Sequence, residues 1–349
     1  MNYVLKSIIQ VNTVLIKIKN RLVGNEKPSF LVAEVGINHN GKKSIAKKLI
    51  SKAKDIGADA VKFQTFKASD LAIPSSKYFP IFKKMEFSES DFAELSDYAK
   101  REGIIFFSTP SSIDSVDLLD RIKVPVFKIS SDDVTNIPLI EHIAAKKKPI
   151  ILSTGMSTMD EVDFVVKSIV KKGNKKIIIL HSVSGYPTLS NEVNLNVIKS
   201  LSHKFQFPIG FSDNGEGIDA SVTAAALGSA VIEKHFTLSK KMSGPDHAIS
   251  ADPKDFLEMV RRIKLTEVML GTDKKNVQNS EKDGRVEARK SLTANQTIEK
   301  GTKITEDMVS VMRPATGIAP RDLKKVLGKT TIRKIKIYES LKWKNLSKK

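Results

Sequence analysis

Short apolar runs alternate with longer amphipathic stretches along most of this chain. The runs at 30–36, 60–65, 104–109, 126–130, 149–154, 176–182, 207–213 and 230–236 are rich in Val, Ile and Phe, have strand length, and each ends in polar residues. Between them lie segments of helical period. In 44–56 the apolar positions are Ile45, Leu49, Ile50 and Ala53, and a similar stretch spans 90–101. Gly57 and Gly103 stand where helices stop, and Asp160 and Glu161 follow Thr158 in a first turn, where carboxylates complement the helix dipole. Strands alternating with helices predict a parallel sheet. Eight such units in succession predict an α/β fold of the closed (β/α)8 TIM-barrel type. The alternative is an open doubly wound sheet, against which stands the lack of a GxGxxG after the first run.

In a barrel the C-terminal strand ends meet at one mouth, so the polar residues closing the runs become candidates for chemistry. In chain order they are Glu34; Lys62 and Gln64; Ser108 and Thr109; Lys128, Ser130 and Ser131; Ser153 and Thr154; His181 and Ser182; Ser212 and Asp213; Glu233 and His235. Strand side chains alternate, so Glu233 and His235 share a face, as do Lys62 and Gln64, and Lys128 and Ser130. An acid and an imidazole on one face of a buried strand are costly unless partnered or used. Two lysines among hydroxyls suit a phosphate or carboxylate ligand. After the last run, the loop at 243–247 carries Asp246 and His247, which can reach back over the strand end.

Composition narrows the reading. The chain has 349 residues and no cysteine, which excludes disulfides, thiolate catalysis and zinc–cysteine sites. Its formal charge is +19, mostly from lysine spread along the whole length. With aromatics at 6% and no nucleic-acid motif, this predicts a solvated lysine-rich surface and no nucleic-acid partner. No apolar run approaches the roughly 20 residues that span a bilayer. Residues 1–27 are apolar but broken by Lys6, Lys17 and Lys19 and lack a small-residue cleavage site, so a β-hairpin extension is expected rather than a signal peptide. A cytoplasmic protein without membrane contact follows as the expectation. The barrel is expected over 28–272. The polar, aperiodic stretch 273–288 reads as a linker, and 289–349 as a small β-rich module.

With these elements placed, the chain resembles the sialic acid synthase family, the phosphoenolpyruvate-dependent synthases of nonulosonic acids. The resemblance rests on AEVGINHNG (33–41), KFQTFKA (62–68), FFSTP (106–110), FKISS (127–131), PIILSTGMST (149–158), YPT (186–188), GFSD (210–213), VIEKHFTL (231–238), GPDH (244–247), RKSL (289–292) and RPATGI (313–318). It runs from about residue 20 to the C-terminus, in order and with spacing kept. It implies that C3 of phosphoenolpyruvate attacks the open-chain aldehyde of an N-acetylated amino sugar, water adds at C2, and phosphate leaves. Lys62, Thr109, Lys128, Ser153 and Ser212 would then hold phosphoenolpyruvate. Glu34, Gln64, Asp133, Tyr186 and Asp246 would serve the sugar and proton transfer, with Ser131 and Ser184 lining the same side. Glu233 would be the base or water-orienting group, and His235 a ligand of a divalent metal, Mn or Mg, that polarises the aldehyde. The C-terminal module resembles the family's antifreeze-like (SAF) domain of β-clip type. That likeness implies a domain-swapped homodimer in which Arg313 reaches the sugar of the other chain.

Three departures bear on substrate and metal. Asn214 stands where the family has a second metal-binding histidine, and an amide oxygen ligates Mn more weakly than imidazole does. Asp133 replaces a longer glutamate, and Ser184 replaces an asparagine. The loop after the second strand, which contributes to the mouth in the family, is short. The expected product is N-acetylneuraminate; legionaminate or pseudaminate is the alternative within the class. A catalytically inactive sugar- or anion-binding barrel is the alternative outside it, opposed by the joint retention of Lys62, Lys128, Glu233 and His235.

Overall fold

A computed structural model describes residues 14–347. The eight runs form parallel strands: β3 (Phe30–Gly36), β4 (Ala60–Thr65), β5 (Ile105–Pro110), β6 (Phe127–Ile129), β7 (Ile150–Ser153), β8 (Ile177–Ser182), β9 (Ile209–Asp213) and β10 (Val231–His235). β10 pairs with both β3 and β9, which closes the sheet into a barrel in sequential order. The helices form where the periodicity placed them, with the expected ends. Thr158 and Glu161 make a reciprocal capping box at the start of Met159–Lys171, and Ser88 does the same with Asp91 at Glu89–Glu102. Gly103 closes the latter helix at φ 74°, a conformation that only glycine adopts without cost.

Two apolar clusters divide the strand residues by parity. Leu31, Ala33, Val61, Phe63, Ile177 and Ile179 belong to the layer between strands and helices. Phe30, Val32, Phe107, Ile151, Leu180 and Val231 fill the barrel interior. Ahead of the barrel, β1 (Ile16–Ile18) and β2 (Arg21–Val23) pair antiparallel. Their Ile16, Ile18 and Val23 join the interior cluster, so this hairpin closes the floor of the barrel. The part of the expected hairpin before residue 14 lies outside the described residues.

The described chain divides into two compact units at Gly271/Thr272. In the second, β11 (Ser291–Ala294) and β12 (Val309–Met312) pair antiparallel over a core of its own that includes Leu292, Ile298, Ile304, Ile335 and Leu341. The stretch expected to be an aperiodic linker groups with this unit and holds a 3-10 turn, Asn279–Glu281, and a short helix, Lys282–Glu287. Its large apolar residues, Val277 and Val286, are too few to show as periodicity, and both are exposed.

The floor hairpin sets a first prediction. Ile18 is fully buried against the barrel interior. Ile18→Ala removes that filling and is expected to cost about 2–5 kcal/mol. It should lower the denaturation midpoint with an unchanged denaturant slope. An unshifted midpoint would show that the floor does not depend on the hairpin.

Candidate active site

Parity carries Glu34, Lys62, Gln64, Thr109, Lys128, Ser153, Ser212, Glu233 and His235 to the inner face, just above the apolar interior cluster. Strand-end position does not suffice for the rest. Ser108 bonds Thr65 on the outer face, and Thr154 donates to the Leu180 carbonyl. The His181 ring nitrogen donates to Val193 O at 2.7 Å. These three are structural, and Asp213 also points outward. Ser130 lies beyond the short β6 and donates to Asp133 rather than into the mouth.

The inward groups form one connected cluster. Lys62 Nζ lies 3.1 Å from Glu34 Oε2, 3.3 Å from Glu233 Oε1 and 3.4 Å from Thr109 Oγ1. Lys128 Nζ lies 3.4 Å from the same Glu233 oxygen and donates to Ser153 Oγ at 2.6 Å. Ser212 donates to Glu233 Oε1 at 3.1 Å, and Gln64 Nε2 approaches Glu34 Oε1 at 3.4 Å. Glu233 Oε2 is buried without a hydrogen-bond partner. Both lysines and both glutamates are nearly inaccessible to solvent.

Burial acts on all four groups and the neighbours decide the outcome. Burial, reinforced by the nearby Glu233 charge, pushes Glu34 up to about 7, although Lys62 and Lys128 oppose it. Burial would also raise Glu233, but Lys128 and Lys62 outweigh it and hold the carboxyl well below its ordinary value. Lys128 is pushed down to about 8 by burial, against the pull of Glu233. Two carboxylates a few ångströms apart thus differ in proton affinity in opposite directions.

The residues expected on the sugar side are placed as follows. Tyr186 stands exposed at the mouth with its ring edge-on to His235, centroids 5.9 Å apart. Asp246 Oδ2 is 4.0 Å from His235 Nδ1. The neighbouring His247 turns away, fully buried, 2.6 Å from Thr237 Oγ1. Ser131 Oγ accepts from Gly155 N at 2.9 Å, and Ser184 Oγ is buried without a partner. Asp133 accepts from Ser130 Oγ and Asn136 Nδ2, both at 3.0 Å, so its carboxylate braces the turn at Ser131–Asp133. Arg313 follows β12 in the second unit and is exposed there.

Two glycines escaped the sequence reading. A Cβ on Gly155 would collide with Ser184 Oγ and lie 2.8 Å from Ser131 Oγ, so only glycine lets these two hydroxyls approach. Gly36, at φ 52°, sits at the register shift between β3 and β4 and would crowd Glu34 Oε1 at 3.2 Å. Both constraints join residues distant in sequence or depend on register, which periodicity does not reveal. Lys234 was also passed over; alternation between Glu233 and His235 marks it as outward and buried.

The donors available to a divalent cation are few. His235 Nδ1 is buried and lacks a hydrogen-bond partner. Asn214 spends its amide nitrogen on Val183 O at 2.8 Å and Ser182 Oγ at 3.3 Å, which leaves its amide oxygen for another partner. Among the described residues no three His, Cys, Asp or Glu side chains converge as a metal cage. One imidazole nitrogen and one amide oxygen are fewer donors than a divalent cation needs, so water or substrate would have to supply the rest of its coordination.

Comparison with known proteins identifies the family. Residues 49–275 match the NeuB family model and 289–347 the SAF domain model. The chain is 37% identical to the N,N'-diacetyllegionaminic acid synthase of Legionella pneumophila, over 93% of this chain and 96% of that protein. It is 36% identical to human N-acetylneuraminate-9-phosphate synthase, over 89% and 91%. A solved N-acetylneuraminic acid synthetase from Leptospira borgpetersenii, in complex with citrate, superposes with a TM-score of 0.75 at 34% identity, covering 78% of this chain and 95% of that one. The chain therefore belongs to the NeuB family, phosphoenolpyruvate-dependent synthases of nonulosonic acids that form a carbon–carbon bond, and carries that family's barrel together with a SAF domain.

Proposed function

We propose that this enzyme condenses phosphoenolpyruvate with the open-chain aldehyde of an N-acetylated amino sugar resembling N-acetylmannosamine, giving a nine-carbon sialic acid and phosphate. The observation that carries this reading is the cluster of Lys62, Lys128, Thr109, Ser153 and Ser212 around Glu233, with Glu34 beside it. The lysines and hydroxyls supply charge-assisted donors for a phosphate and a carboxylate. C3 of the enol phosphate forms the new bond to the aldehyde carbon. Glu34, whose proton affinity rises further when an anion binds beside it, protonates the aldehyde oxygen. Glu233 stays ionised, accepts a proton from the water that adds at C2, and the tetrahedral adduct releases phosphate by carbon–oxygen cleavage. Lys62 touches both glutamates and offers the route by which the proton returns from Glu233 to Glu34. Environments that push two carboxyls apart in this way assign acid and base. His235 and the Asn214 amide oxygen would hold a divalent cation, Mn or Mg, which when bound supplies Lewis-acid polarisation of the aldehyde.

A second reading keeps the chemistry and changes the acceptor to a diacetamido-trideoxy sugar, giving legionaminate. Likeness to the Legionella enzyme favours it, as does Ser184, a shortened side chain whose buried hydroxyl has no partner. A phosphate-release assay with phosphoenolpyruvate and a panel of amino sugars, run with and without chelator, decides between them. Release with N-acetylmannosamine supports the first product. Release only with the diacetamido sugar moves the assignment to the second. No release with any acceptor overturns the synthase reading.

Charge at Lys128 gives a pH prediction. An anion binds the protonated amine, so affinity for phosphoenolpyruvate is retained below about 8 and lost as pH rises through it. Lys128→Met removes one charged hydrogen-bond donor, a loss of about 1.5–3 kcal/mol. The KM for phosphoenolpyruvate should rise accordingly and lose its alkaline limb. An unchanged KM would place Lys128 outside the anion site.

The SAF domain, about 60 residues, is small for an independent core and gains from docking on a larger surface. We further propose that Arg313 serves the barrel of a second copy in a domain-swapped homodimer, its guanidinium holding acceptor oxygens. Mixing Arg313→Ala chains with His235→Ala chains should rescue activity, because a mixed dimer contains one complete site. Verified subunit exchange without rescue, while each parent is inactive, would show that Arg313 acts within its own chain.

A further inference from the structure

Lys234 is a buried ionisable group that the proposed reaction leaves unused. It lies between the inward Glu233 and His235 on β10 and points the opposite way, with 1% exposure. Its ammonium is 3.1 Å from Asp213 Oδ2 on β9 and donates to Gly215 O at 2.5 Å. Asp213 is itself saturated, accepting from Ser221 Oγ at 2.6 Å and from Gly215 N at 2.9 Å. The segment so gripped, 213–215, contains Asn214. It continues into the β8–β9 connection: Gly215 bridges Thr188, Thr188 N donates to Asn214 O at 3.0 Å, and Asn214 Nδ2 donates to Val183 O at 2.8 Å. Thr188 Oγ1 closes that loop by bonding Val183 O and Gly185 O at 3.0 and 2.9 Å. Ser184 and Tyr186 lie within it. A buried ion pair adds little net stability over an apolar pair of similar volume, so stability alone does not account for it.

We propose that Lys234 is a positioning residue: its pair with Asp213 locks the 213–215 turn, and through it the 183–188 loop, in register with the strand bearing Glu233 and His235, thereby setting the acceptor side of the site. Of the residues proposed for phosphoenolpyruvate, Lys62, Thr109, Lys128 and Ser153 lie on other strands, and Ser212, although next to Asp213, is held by the pairing of β9 with β8 and β10, so that side does not depend on this lock.

The test compares Lys234→Met with the double variant Lys234→Met/Asp213→Asn. The single variant strands a buried charge and should lose thermal stability or fail to fold; the double variant removes that charge and should regain the fold. In the refolded double variant, amide exchange at Thr188 and Gly215 should accelerate while that of β4 and β6 stays as in the parent. The acceptor KM should rise by about ten- to hundredfold while the KM for phosphoenolpyruvate stays within about twofold, the pattern of a misplaced but otherwise intact site. Parental exchange at Thr188 and Gly215 together with a parental acceptor KM would overturn the proposal and leave an ion pair of stability alone. An equal rise in both KM values would overturn it as well, since it would report general loosening. The kinetic half rests on the reaction proposed above. Should the parent release no phosphate with any acceptor, that reading fails by itself, and the exchange data still decide whether Lys234 holds the loop.

Discussion

Two lysines and two glutamates are buried together at the mouth of this barrel, and much of the site's construction answers the cost of putting them there. An ion taken out of water loses several kcal/mol of solvation unless geometry and hydrogen bonds return it. Lys62 is met by both glutamates, Lys128 by Glu233 and Ser153, and Glu233 by Ser212 as well. With both carboxyls ionised, the charges cancel as a set. The cancellation is uneven: Glu233 contacts both lysines, whereas Glu34 contacts one and shares its neighbourhood with another carboxylate. One residue type in two surroundings therefore yields one persistent anion and one group able to carry a proton near neutrality.

The fold was legible because a barrel repeats its unit, and each repeat adds the same evidence: apolar run, polar end, amphipathic helix, stop. Alternation then placed Glu233 with His235, and Lys62 with Gln64, on the inner face. It failed where the strand gave no contrast between faces. In β8, Ile177, Ile178, Ile179 and Leu180 are all buried, as expected of a parallel sheet covered on both sides, so nothing in the run says which way His181 points. Register with the neighbours decides this, and register is not local. The same limit hid Gly155, whose need for a missing side chain arises from Ser131 and Ser184, contributed by two other strand ends. Lys234 is different. Its outward direction follows from Glu233 and His235, and a lysine facing the helix layer demands a partner; that signal was present in the sequence.

Charge is distributed with the same economy. The formal excess of +19 is carried by lysines on helices and connecting loops, many of them paired with nearby carboxylates, as Lys43 and Lys47 are with Glu94. Such exposed pairs contribute little stability each. The two lysines proposed for anion recognition are among the few that are buried, where a low dielectric strengthens each contact. Composition thus describes the surface, and topology selects which cations are buried at the mouth.

The arrival of an anionic substrate changes the balance of the buried set. Before binding, Glu233 is the lysines' main partner. A phosphate and a carboxylate brought to the same ammonium groups would share them with Glu233, weakening the attraction that keeps its proton affinity low. Added negative charge would raise that of Glu34 further. Both changes favour the proposed chemistry in the order it requires: an acid already protonated before the aldehyde oxygen gains charge, and a base whose readiness to accept a proton grows once water must be activated. Such a response needs no moving domain. It follows from placing four titratable groups within bonding distance on four strands of a rigid barrel, where substrate binding is felt electrostatically by groups that remain in place.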